Sequence, residues 1–161
     1  MQTVLGRLIL GMAAVAFAAS MSNVSAQSKD PRMGAWNLNV AKSKFSPGPA
    51  PKSLAINFEP AGKGVKLTTS GVNADGSPSA TEYTANYDGK DYPLKGSPAA
   101  DTVSLKRVNA LTTVRTDKKA GKVVATLKSV MAKNGKTYTV AVKSKTPKGE
   151  PVNNTLVFER P

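Results

Sequence analysis

From residue 34 onward the chain alternates apolar and polar residues at a spacing of two almost without interruption, and hardly any stretch repeats apolar residues at helical spacing. Period-two alternation marks strands with one buried face. A one-residue slip in pairing would exchange the two faces of a strand, so each turn is tested by whether its flanking runs keep one apolar face. Four turns satisfy this. Asn134-Gly135, where both residue types tolerate positive φ, sets Met131 opposite Tyr138, Ser129 opposite Val140 and Leu127 opposite Val142. Asp88-Gly89 sets Ala85 opposite Tyr92 and Tyr83 opposite Leu94, with Glu82 and Lys95 as an outer charge pair. Ala61-Gly62 sets Phe58 against Val65, Ile56 against Leu67 and Leu54 against Thr69. Asn109-Ala110 sets Leu105 against Val114 and Val103 against Thr116, which turns Arg115 outward with Lys106 and Arg107 inward.

Longer connections are expected at 73–78, 96–100, 117–122 and 146–151, where glycine and proline gather. A last strand carries Val152, Asn154, Leu156 and Phe158 on one face. With the segment around Trp36 this makes about ten short strands joined by hairpins, an all-β antiparallel up-and-down meander. An open meander exposes two edges and closure removes them, so the expected architecture is a closed barrel, with a two-sheet β-sandwich as the alternative. Residues 42–52, with Pro47, Pro49 and Pro51, form a stiff irregular loop that could lie across a barrel mouth.

The first 26 residues change the picture of where the barrel works. A basic end from Met1 to Arg7, an apolar run from Leu8 to Ala19 and small residues up to Ala26 have the order of a secretory signal peptide. The domain reading is therefore 1–26 signal peptide, 27–33 flexible N-terminus and 34–161 a single β-barrel domain. The absence of cysteine leaves nothing to carry a lipid, so the expected location is periplasmic or secreted, without a lipoprotein anchor.

Composition narrows function by exclusion. With no cysteine and no histidine, disulfides, the usual zinc and copper ligands, the Ser-His-Asp triad and the cysteine nucleophile are unavailable. No enzyme, metal or cofactor is expected. The formal net charge of +13 is concentrated late: nine Lys and Arg face six acids over 27–100, but thirteen face four over 101–161. Such an excess keeps a protein soluble or draws it to an anionic envelope polymer or lipid surface. Nucleic acid is not expected, because the lysines alternate with threonine and valine rather than with aromatic stacking platforms.

The opening Gly34-Ala35-Trp36, early on the first strand, resembles the G-x-W signature of the calycins, the lipocalins and fatty-acid-binding proteins. The longer pattern Gly34-x-Trp36-x-Leu38-Asn39-x-x-Lys42-Ser43-x-Phe45 is similar to the opening of small secreted bacterial proteins described as lipocalin-like. The resemblance implies a barrel whose tryptophan plugs the closed end under an arginine from a late strand, for which Arg160 has the right position. It does not extend to ligand chemistry. The chain lacks the Arg-x-Tyr that holds a carboxylate in fatty-acid-binding proteins, and Asp91-Tyr92 lacks the threonine of the second lipocalin signature.

The candidate ligand-binding residues are Arg107, Tyr83, Tyr92, Tyr138 and Trp36. Arg107 is placed beside a turn at a barrel mouth, where it could meet a carboxylate or phosphate. The tyrosines, with Tyr87, fall on the apolar face as an amphipathic lining. Trp36 is first a buried core aromatic and second a stacking surface. Glu82, Asp88 and Asp91 cluster in sequence, yet Glu82 points outward and Asp88 belongs to a turn, so they make no glycosidase pair. Small inward residues, Ala85, Ala125 and Ser129, would leave room for a small apolar or amphipathic ligand. Large residues at every inward position would instead leave a filled structural protein. A monomer is expected.

Overall fold

The computed structural model describes residues 30–161, and the signal-peptide assignment lies outside the described residues. Ten strands follow one another: β1 (Gly34–Leu38), β2 (Ser53–Ala61), β3 (Gly64–Val72), β4 (Pro78–Ala85), β5 (Tyr92–Pro93), β6 (Thr102–Asn109), β7 (Thr112–Lys119), β8 (Lys122–Met131), β9 (Thr137–Lys145) and β10 (Pro151–Glu159). They form one antiparallel sheet in the order β4-β3-β2-β1-β10-β9-β8-β7-β6-β5. First and last strands are neighbours, so the free edges are β4 and the two-residue β5. These edges meet: the Glu82 amide donates to the Lys95 carbonyl at 3.1 Å and the Lys95 amide to the Glu82 carbonyl at 2.9 Å. The result is a nearly closed meander barrel and not a sandwich.

The alternation buries what it should. Trp36, Val103 and Phe158 have no exposed surface, and Val65 and Met131 expose 1%. Across Asn134-Gly135 the pairs are Met131 with Tyr138, Ser129 with Val140 and Leu127 with Val142, as the turn chemistry requires. The β2–β3 turn falls at Gly62-Lys63, one residue later than expected, so Phe58 pairs with Leu67 and Ile56 with Thr69. Moving the turn centre by one shifts each partner by two, which equals the side-chain period, and the same residues stay inside.

Two expectations need correcting at β7. The β6–β7 turn falls at Ala110-Leu111, one residue later than expected, which moves partners by two, and a bulge between Arg107 and Asn109 takes one back, so Leu105 pairs with Arg115 and Val103 with Asp117 instead of with Val114 and Thr116. A shift of one exchanges faces: Arg115 and Asp117 turn inward and Val114 outward. The expected loop at 117–122 is instead a two-residue turn. Lys119 pairs with Lys122 across Ala120 and Gly121, both at positive φ. The Asp88-Gly89 hairpin is also looser than expected. Only the Glu82–Lys95 bridge joins β4 to β5, and the Glu82 carboxylate pairs with Lys66 of β3 at 3.2 Å.

The opening motif ties the first strand to the last. After β1 a single 3₁₀ turn spans Val40–Lys42, capped by Asn39, whose side-chain oxygen accepts from the Lys42 amide at 3.0 Å. The Asn39 side-chain amide and the Lys42 ammonium both reach Glu159. The Ser43 hydroxyl donates to the Asn39 carbonyl at 2.7 Å and accepts from the Val157 amide at 2.9 Å. In this way the Asn-x-x-Lys-Ser part of the motif stitches the turn to β10.

Candidate ligand-binding site

One end of the barrel is closed around Trp36. Its indole N–H donates to the Arg32 carbonyl at 2.8 Å, and the Arg160 guanidinium lies 3.9 Å from the ring centre. Arg160 is held there by donating to the Met33 and Pro31 carbonyls at 2.7 and 2.8 Å. Arg160 thus occupies the covering position that the resemblance implies. Residues 30–33, expected in a flexible lead, instead form a turn packed into this end: the Met33 amide donates to the Asp30 carbonyl, and Arg32 is 1% exposed.

A buried guanidinium needs a partner, and Asp30 supplies one. It accepts from Arg32 Nε and Nη2 at 2.9 and 2.7 Å and from Arg107 Nη2 at 2.9 Å. Burial works to raise the Asp30 pKa, but the hydrogen bonds from Arg32 and Arg107 outweigh it and hold the carboxyl at about 2. Two guanidiniums share one carboxylate, leaving one net positive charge in the cluster. The Tyr87 ring faces both, with Arg107 at 4.4 Å and Arg32 at 5.2 Å from its centre.

Above this floor is a cavity of about 280 Å³. Its walls are aliphatic and aromatic, including Ile56, Phe58, Leu67, Leu127 and Val140, and polar side chains are set among them. Arg32 and Tyr87 come from the closed end, Tyr138 with Ser129 and Thr113 from β7 to β9, and Tyr83 with Arg115 from across the barrel. Arg115 donates to both carboxylate oxygens of Asp117, its neighbour two residues on along the same strand face, at 2.8 Å through Nη2. Its guanidinium stands 4.9 Å from the Tyr83 ring centre. Burial opposes charge on Arg115, but Tyr83 and Asp117 more than compensate and raise its pKa. Burial also pushes Tyr83, Tyr87 and Tyr138 upward, so all three remain neutral phenols.

At the other end the proline-rich loop borders the mouth. Phe45, Pro49 and Pro51 line a hollow of about 300 Å³ that shares Leu54, Ser79 and Leu156 with the interior cavity. The loop is fastened to β10, with the Lys44 amide on the Thr155 carbonyl and the Ser46 amide on the Asn154 side chain.

Of the five candidate residues, Tyr83 and Tyr138 line the cavity. Trp36 lies in the plug behind it. Tyr92 pairs with the buried Val103 and packs against the core without lining the cavity, and its hydroxyl donates to Asp88 at 2.8 Å. Arg107 sits at the closed end, not at the open mouth, and its charge is engaged by Asp30 and Tyr87. The polar residues that replace them are Arg32 and Arg115. Arg-x-Asp spacing puts Arg115 and Asp117 on one strand face whichever face that is, and this was the signal for their pairing. Nothing in the sequence marked Arg32.

No protein-family model matches the chain, and no curated protein does. Among solved structures, the chain is similar to a redesigned β-barrel, mFAP1, bound to DFHBI (15% identity, 81% of this chain and 95% of that one, TM-score 0.41). It is also similar to apocrustacyanin C2 (11%, 85% and 64%, TM-score 0.46). The third is the siderocalin Ex-FABP, whose description gives it dual ligand specificities (10%, 81% and 74%, TM-score 0.37). Likenesses this distant carry nothing about this chain's ligand. What it can hold is set by its own interior, an apolar cavity lined in part by guanidinium and phenol groups.

Proposed function

We propose that this protein is an exported, non-enzymatic carrier of the lipocalin-like kind that holds one small amphipathic molecule, apolar in body and acidic or otherwise acceptor-rich at one end. The observation that carries this reading is the interior cavity, whose polar lining is rich in donors. Arg32 and Arg115 bring guanidinium N–H groups, while Tyr83, Tyr87 and Tyr138 are held neutral and keep hydroxyl donors. An acceptor on the ligand would meet charge-assisted donors there, and the aliphatic walls would cover the remainder. The volume is at the small end for ligand pockets, roughly 300 Å³ and upward, which favours a compact molecule over a long acyl chain. Periplasmic or secreted placement follows from the leader and is part of the same proposal.

Native mass spectrometry of the protein taken from its own source should carry a bound small molecule. Titration with a panel of short-chain and aromatic carboxylates should quench tyrosine emission. Ser129→Phe, which fills the cavity from β8, should abolish binding while the protein stays folded. A clean apo mass together with no response across the panel sinks the proposal.

A further inference from the structure

Strands β6 to β9 and the turns between them are strongly basic, and their one acid faces the interior. Between Thr102 and Lys145 there are eleven Lys and Arg and one acid, Asp117, which is buried inside with Arg115. The opposite wall is balanced: Ser53 to Ala85 holds two lysines and three acids. Of the eleven cations, Arg107, Arg115 and Lys118 are engaged by Asp30, Asp117 and Asp91. The other eight, all lysines, have no carboxylate within salt-bridge distance among the described residues.

The β6–β7 bulge arranges this surface. By turning Arg115 inward it turns Val114 outward, and the registers then align Lys106, Val114, Lys128 and Ala141 in one row across four strands, with Asp88 bridged to Lys106 at the row's end. Lys143 stands in the next row, opposite Thr126. Toward the closed end of the same wall Val108 is 60% exposed and Val130 40%. The face is therefore lysines interleaved with exposed aliphatic side chains. The only aromatic residue between Thr102 and Lys145 is Tyr138, and it is buried.

We propose that the β6–β9 wall docks on an anionic lipid surface. Lysine is a compact point charge suited to a field of headgroups rather than to bidentate recognition of one group. Exposed valines among the lysines gain by entering the headgroup boundary, a gain that an acidic polymer in water does not offer. Without aromatic platforms the wall has nothing on which bases could stack, which sets nucleic acid aside. The proposal uses the outside of the barrel and stands whether or not the cavity holds a ligand.

The test is flotation of the protein with vesicles of phosphatidylcholine containing roughly a third phosphatidylglycerol, and with phosphatidylcholine alone. Binding is expected to the anionic vesicles only, and to fall steeply as salt rises to about 0.5 M, where the screening length drops below about 5 Å. Lys106→Gln/Lys128→Gln/Lys143→Gln should lower partitioning by about tenfold or more, whereas Lys44→Gln/Lys52→Gln/Lys63→Gln, which removes the same charge elsewhere, should change it by less than about threefold. Val108→Ser/Val130→Ser should weaken vesicle binding and leave retention on a polyphosphate resin unchanged. Unaltered Trp36 emission checks that each variant is folded. Equal losses in the two lysine triples would show net charge acting without a docking face and overturn the proposal. Retention on polyphosphate without vesicle binding, or vesicle binding indifferent to the valines, would overturn the lipid surface.

Discussion

The guanidinium of Arg160, the next-to-last residue, lies 3.9 Å from the centre of the Trp36 ring at the start of the barrel. Its two hydrogen bonds to the Met33 and Pro31 carbonyls join the end of β10 to the turn before β1 over the plug. Arg160→Ala removes the stacking and both bonds, and should cost about 2 to 3 kcal/mol in urea unfolding with a red shift of Trp36 emission. Arg160→Lys should recover only part of this, because an ammonium cannot stack as a plane and bond two carbonyls in the same fork.

Asp30 gives the fold an acid sensitivity. Its pKa is depressed from 3.8 to about 2 by Arg32 and Arg107, against the opposing effect of burial. A depressed folded-state value means the stabilisation is fully present above the unfolded value and is lost as pH falls from about 4 through 2. Allowing for its partial exposure, Asp30→Asn should lower stability by about 2 kcal/mol at pH 7. Unfolding midpoints of wild type and variant should converge toward pH 2, and a gap that stays constant with pH would remove this role.

Arg115 and Asp117 form an enclosed pair. Asp117→Ala leaves a buried guanidinium with only the Tyr83 ring for compensation and should cost about 3 to 5 kcal/mol, whereas Arg115→Met/Asp117→Val together should cost far less. A double-mutant cycle by chemical denaturation measures the difference.

Gly96 guards the seam between β4 and β5. At φ +78° its added Cβ would stand 2.1 Å from the Ala80 carbonyl oxygen, next to the two bonds that join Glu82 to Lys95. Gly96→Ala should cost about 2 to 4 kcal/mol and accelerate amide exchange at Glu82 and Lys95 more than at β8 and β9.

Ser43 both donates to the Asn39 carbonyl and accepts from the Val157 amide. Ser43→Ala leaves that half-buried amide without its partner, for an expected loss of about 1 to 2 kcal/mol in thermal or urea unfolding. Ser43→Thr should restore most of it.

Alternation and turn chemistry by themselves determined the meander, its strand count and the inward faces of most strands. Where a turn's type fixes its length, as at Asn134-Gly135, pairing could be read residue by residue. A turn displaced by one, as at Gly62, did no harm to the faces because partners then move by a whole side-chain period. Tertiary structure decided β7. In Thr112 to Asp117 the one apolar residue, Val114, points the alternation inward with Thr112 and Thr116, and the bulge at Arg107/Asn109 reversed that choice. That one residue placed Arg115 and Asp117 in the interior and Val114 on the basic wall, shaping both candidate surfaces. Closure decided the remainder. Asp30 binds its neighbour Arg32 and also Arg107, 77 positions along the chain, and Arg160 reaches Trp36 from the last strand. Local patterning specifies which way a side chain faces along its own strand, but which charges meet depends on how the barrel brings distant strand ends together.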